Sequence, residues 1–79
     1  MKNVKEKIIS NEFTDKYPNI AEWVEAGILE IGCGEYGDSF IRVLDEGGVV
    51  WEGRHKYPTL DDALQDAEKA IEKWFEENG

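Results

Sequence analysis

The sequence predicts an α+β domain, a three-stranded antiparallel sheet packed by helices in the order α-α-β-β-β-α. Three observations carry that prediction. Residues 39–54 contain two β-rich runs joined by Asp45-Glu46-Gly47-Gly48, a turn in which glycine accepts positive φ without steric cost. Residues 60–75 repeat apolar side chains at helical spacing. The chain has 79 residues, 41% of them hydrophobic, which supports one folded core and leaves no room for a second. Residues 1–79 therefore read as a single small domain.

From the N-terminus, residues 2–10 read as a short helix, with Val4 and Ile8 one turn apart and Ile9 widening that face. Ser10 to Tyr17 carries Asn11, Thr14 and Asp15, residues that favour turns and caps. Pro18 suits the first turn of a second helix, where its missing N–H costs nothing. Ile20, Trp23 and Val24 share one face of it, and Gly27 stands where a left-handed C-terminal cap belongs. Ile28 to Cys33 reads as the first strand, with Leu29, Ile31 and Cys33 on one side and Ile28 and Glu30 on the other. Ser39 to Asp45 and Val49 to Arg54 are the second and third strands. Thr59 caps the last helix with its hydroxyl, and Asp61 and Asp62 complement its positive end. Leu60, Ala63, Leu64, Ala67, Ala70, Ile71, Trp74 and Phe75 form its apolar stripe.

If Asp45 pairs with Gly48, strict alternation places Phe40, Leu44, Val49 and Trp51 on one face of the hairpin. Ile41, Val43 and Val50 take the other. Both faces are then apolar at their centres, and the helices cover one of them well. The second face needs the N-terminal helix or another molecule, because a large uncovered apolar patch marks an interaction site. Phe40, Leu44, Val49 and Trp51 are thus the candidate interface residues. A slip of one residue would exchange the faces.

Leu29-Glu30-Ile31-Gly32-Cys33-Gly34-Glu35-Tyr36-Gly37 matches the G-x-G-x-x-G dinucleotide fingerprint. It also resembles the first motif of class I methyltransferases that use S-adenosylmethionine, with Glu30 at the acidic position. Both motifs require a helix after the glycine loop. Here the loop leads into Ser39-Phe40-Ile41-Arg42-Val43-Leu44, which is β-rich, so the match is read as coincidental and no cofactor is expected. Thr59-Leu60-Asp61-Asp62-Ala63-Leu64, continuing to Ala67, Ala70 and Ile71, resembles the helix segment of HicB-type antitoxin domains. That resemblance covers residues 59–71. It implies a bacterial domain with a partial double-stranded RNA-binding fold, whose role is to neutralise a small basic ribonuclease toxin. The Gly-Cys and Gly-Asp pattern that such domains carry before the helix is absent from Gly53 to Pro58.

Charge bounds the partners. Eighteen acidic and nine basic residues give a net charge of −9. It is spread evenly, with eight acidic and four basic side chains in residues 1–40 and ten and five in residues 41–79. Such a surface repels phosphate backbones, so direct nucleic-acid contact is not expected, and a basic protein partner is the better match. No apolar run approaches the ~20 residues of a membrane helix, so no membrane association is expected. Cys33 is the only cysteine, which excludes an internal disulfide and fits a reducing cytoplasm.

Candidate chemistry is sparse. His55 has an ordinary pKa suited to acid–base work, yet Arg54 and Lys56 flank it. Cys33 alternates with Leu29 and Ile31 and reads as a packing residue rather than a nucleophile. Zinc would need His55, Cys33 and two carboxylates to converge, and Glu30, Glu35 and Asp38 lack the alternation of a calcium loop. No metal site and no catalytic residue is expected. The sequence reads as a small acidic, non-enzymatic protein-binding domain. It acts by self-association, as a homodimer, or by binding a basic protein in the manner of an antitoxin or inhibitor. The alternatives are a small enzyme using Cys33 or His55, or a nucleic-acid-associated module.

Overall fold

A computed structural model describes residues 11–32 and 39–78. Its elements are α1 (Asn11–Lys16), α2 (Pro18–Trp23), β1 (Ile28–Ile31), β2 (Ile41–Asp45), β3 (Gly48–Glu52) and α3 (Leu60–Asn78). The order is α-α-β-β-β-α, and the sheet is antiparallel with strand order β1-β2-β3. The helix expected over residues 2–10 lies outside the described residues.

The first described helix occupies residues expected to form turns. Asn11, Thr14 and Asp15 have weak helix propensity, but tertiary packing overrides propensity in short helices. Here Phe13 packs on the core, and its ring centroid lies 5.2 Å from that of Tyr17. The Tyr17 N–H donates to the Phe13 carbonyl at 2.7 Å, so the chain turns directly from α1 into α2.

α2 starts at Pro18, as expected, but Tyr17 at its N-cap position supplies no side-chain cap. The cap comes from α3. The Glu68 carboxylate accepts from the backbone N–H of Asn19 at 2.9 Å and of Ile20 at 2.9 Å, and from the Asn19 side-chain amide at 2.7 Å. First-turn N–H groups have no partner within their own helix, and this carboxylate satisfies two of them.

Gly27 corrects an expectation. Positive φ occurs at Gly32 (116°) and Gly48 (121°) and not at Gly27. Glycine is needed at 27 because the Trp23 indole lies against it. A Cβ there would stand 2.5 Å from Trp23 Nε1 and 3.0 Å from the Leu44 carbonyl oxygen. That close approach lets Trp23 Nε1 donate to the Leu44 carbonyl at 3.0 Å, joining α2 to β2.

The core lies between the helices and one face of the sheet. Ile20, Ile41, Val43 and Ile71 are its largest fully buried side chains, each stabilising by about 1.5–3 kcal/mol relative to exposure. Ala63, Ala67 and Ile71 follow one another at four-residue spacing along α3 and are all buried. The alanines let α3 approach Tyr17 and Ile20 closely. Thr59 caps α3 as expected, its Oγ1 accepting from the Asp62 N–H at 3.1 Å.

Two tyrosines fasten α3 to the rest. The Tyr17 hydroxyl donates to Asp61, which also pairs with Lys16 at 2.8 Å. The Tyr57 hydroxyl donates to Asp66 at 2.6 Å and accepts from the Arg54 N–H at 2.8 Å. Burial pushes both tyrosines above their ordinary pKa, and their carboxylate acceptors push the same way. Asp61 is held below the usual carboxylate range, first by Lys16 and then by Tyr17.

Candidate functional site

Among the described residues the sheet has one face covered by helices and one left open, and register decides which side chains sit on each. β1 pairs with β2 as Ile28–Leu44, Leu29–Val43, Glu30–Arg42 and Ile31–Ile41. β2 pairs with β3 as Asp45–Gly48 and Leu44–Val49, then shifts to Val43–Trp51 and Arg42–Glu52. The Asp45–Gly48 turn is as expected. Its Asp45 Oδ1 accepts from the Gly47 N–H at 2.8 Å. The shift is a bulge that leaves Val50 without an opposite residue.

The bulge divides the four candidate interface residues. Leu44 and Val49 remain opposite each other on the open face. Trp51 moves to the helix-facing side opposite Val43, where it borders a cavity with Trp23, Val50, Ile71 and Trp74. The shared face expected for Trp51 with Leu44 and Val49 is therefore corrected. Phe40, just before β2, is half-buried and packs its ring 6.2 Å from that of Tyr57. Strict alternation missed Ile28 as a partner of Leu44, although its antiparallel pairing with β2 follows from the strand pattern.

The open face carries two rows running across the strands. Ile28, Leu44 and Val49 form an apolar row, with Ile28 52% and Val49 48% exposed. Glu30, Arg42 and Glu52 form a charged row beside it. Arg42 is spoken for. Its Nε donates to Glu30 Oε1 at 2.8 Å, and Nη1 donates to the Ser39 carbonyl and hydroxyl at 2.6 and 3.2 Å. Its Nη2 reaches the Gly32 carbonyl at 3.5 Å. Arg42 thereby ties together the two residues that flank 33–38, and among the described residues Glu52 is left as the unbalanced charge of the row.

A cleft opens at the hairpin end of the sheet, with a volume of about 510 Å³. Glu22, Trp23, Ala26 and Gly27 line one side, Asp45 and Glu46 a second, and Trp74 and Phe75 a third. The three rings pack on one another. Trp23 and Trp74 meet edge to face at 5.2 Å, and Phe75 lies 5.9 Å from Trp23.

The remaining candidates stand apart from both features. His55 is exposed beyond β3. Cys33, Glu35 and Asp38 lie outside the described residues. β1 and β2 are antiparallel neighbours, so the Gly32 motif is not followed by the parallel crossover of a dinucleotide or methyltransferase fold. Among the described residues, no group of three His, Cys, Asp or Glu side chains is placed to hold a metal ion. No described helix is long and apolar enough to cross a membrane. No protein-family model matches the chain, and no curated protein or solved structure matches it.

Proposed function

We propose that this domain is a binding module whose open sheet face docks a basic protein. One observation carries the reading. The row Ile28–Leu44–Val49 crosses all three strands, with Ile28 and Val49 exposed and Leu44 half-buried between them, beside carboxylates that Arg42 does not fully balance among the described residues. Apolar contact at the row supplies affinity. The net charge of −9 steers a cationic partner and speeds its encounter. A second copy brings the same negative charge to the same face, so a foreign basic partner is favoured over a homodimer. The resemblance of residues 59–71 to the HicB-type helix points the same way, toward an antitoxin-like or inhibitor-like role. On this reading the domain acts by occupying its partner and not by catalysis.

Affinity capture from the native host tests the proposal. The bait is the full chain, compared with Ile28→Asp/Val49→Asp and with a Leu60→Asp control on the exposed start of α3. The proposal expects basic polypeptides held by the wild type and by the control, lost with the double variant, and released by raised salt. Equal capture by all three baits, or capture insensitive to salt, would refute it.

A further inference from the structure

The geometry points to a second element of recognition, a cleft that receives an arginine side chain of the partner. This inference rests on the reading of the open face only for the source of that arginine. The cleft at the hairpin end has an aromatic wall in which Trp23 is buried at 7% exposure and the half-buried Trp74 and Phe75, packed on it, are the rings a ligand can reach. Its lining charges are Glu22, Asp45 and Glu46, and among the described residues no lysine, arginine or histidine lines it. The described ion pairs are Lys16–Asp61 and Arg42–Glu30, so none of these three carboxylates has a cation paired to it among the described residues. The neighbouring cavity of about 310 Å³ differs in this respect, since Lys73 and Glu77 both line it.

Aromatic rings attract a cation through their quadrupole, and carboxylates at the rim add direct charge attraction. A guanidinium suits this lining better than an ammonium. It is planar, stacks on rings, and offers donors to more than one carboxylate at once. The position also fits. Gly27 precedes Ile28, Asp45 follows Leu44, and Asp45 pairs with Gly48 beside Val49. The apolar row and the cleft therefore meet at the same end of the sheet, and one partner can engage both.

The test titrates the full chain with a short blocked peptide holding a single arginine, and with the same peptide holding citrulline, which keeps the shape and loses the charge. Indole N–H resonances report the site. The arginine peptide is expected to shift Trp74 saturably and leave Trp51 in place, because Trp51 lines only the other cavity. Glu22→Gln/Glu46→Gln, two exposed positions, should weaken that binding by roughly three- to tenfold. An equal response to citrulline, no effect of the double substitution, or a shift at Trp51 instead of Trp74 would overturn the inference. The Ile28→Asp/Val49→Asp chain separates the two readings. If it binds the arginine peptide as the wild type does while capture is unaffected by the same change, the open-face proposal fails and the cleft stands. If capture depends on the open face but the arginine peptide does not bind, the cleft fails alone.

Discussion

Truncating Glu68 to alanine uncaps a helix on which Glu68 does not lie. Its carboxylate accepts three hydrogen bonds at the start of α2, from the Asn19 and Ile20 N–H groups and from the Asn19 side chain, all within 2.9 Å. Ile20 is buried at 1% exposure, so its N–H has little water to turn to. A lost cap costs about 0.5–2 kcal/mol, and a buried donor left without its partner costs about 1–3 kcal/mol. These overlap, and a combined loss of about 2–3 kcal/mol is expected. A domain of this size has about 4–12 kcal/mol in all. Each 1 kcal/mol moves Tm by about 4–8 °C at this length, so Glu68→Ala should melt about 8–24 °C below the wild type. Thermal unfolding followed by circular dichroism reads this directly. Glu68→Gln keeps one acceptor oxygen and should fall between. Glu72→Ala, one turn further along and exposed, should stay within about 0.5 kcal/mol of the wild type. If Glu68→Ala melts with Glu72→Ala, the long-range cap contributes nothing and the account of α2 is wrong.

Three further outcomes follow from the same packing. Gly27→Ala places a methyl group against Trp23 Nε1 and the Leu44 carbonyl, so it should cost about 1–3 kcal/mol and alter Trp23 emission; an unchanged melt would show that the indole moves aside freely. Trp51→Ala should destabilise by about 2–3 kcal/mol, below the range for a fully buried tryptophan, whereas Val49→Asp should leave the melt nearly unchanged; the reverse result in urea titration would place Trp51 on the open face. Tyr17 and Tyr57 have raised pKa values in the folded state, so their contribution is complete below the ordinary tyrosine pKa of about 10 and is lost as pH rises through the folded values. Stability should therefore fall in the alkaline limb, and the fall should be shallower in Tyr57→Phe; identical alkaline limbs would contradict the tether to Asp66.

Local signals carried much of this fold. Thr59 ahead of an apolar stripe marked the start of α3, Pro18 marked α2, and the Asp45–Gly48 turn set the hairpin, because each depends on neighbours in the chain. What stayed hidden depends on distant residues. The Glu68 cap spans 48 residues to Ile20, and on sequence alone Glu68 is one more charge on a solvated flank. Residues 11–16 become helical because Phe13 and Tyr17 reach the core, which outweighs the turn preferences of Asn11 and Asp15. Gly27 looked like a cap and is a space for an indole. The candidate face was half legible. Leu44 and Val49 followed from the turn, but one extra residue at Val50 carried Trp51 to the other side, and no turn residue signals a bulge within a run as uniformly apolar as Val49-Val50-Trp51. The cleft was not legible at all, since Glu22, Glu46 and Trp74 come from three separate segments.

On the proposed reading the open face awaits a basic protein and is not filled by a second copy. Light scattering across a concentration series, at low and at physiological salt, separates these two occupants. The monomer mass of 9.0 kDa is expected throughout, for the wild type and for Val49→Asp alike. A stable dimer that Val49→Asp returns to monomer would contradict it, because the row Ile28–Leu44–Val49 would then be covered by the protein's own copy.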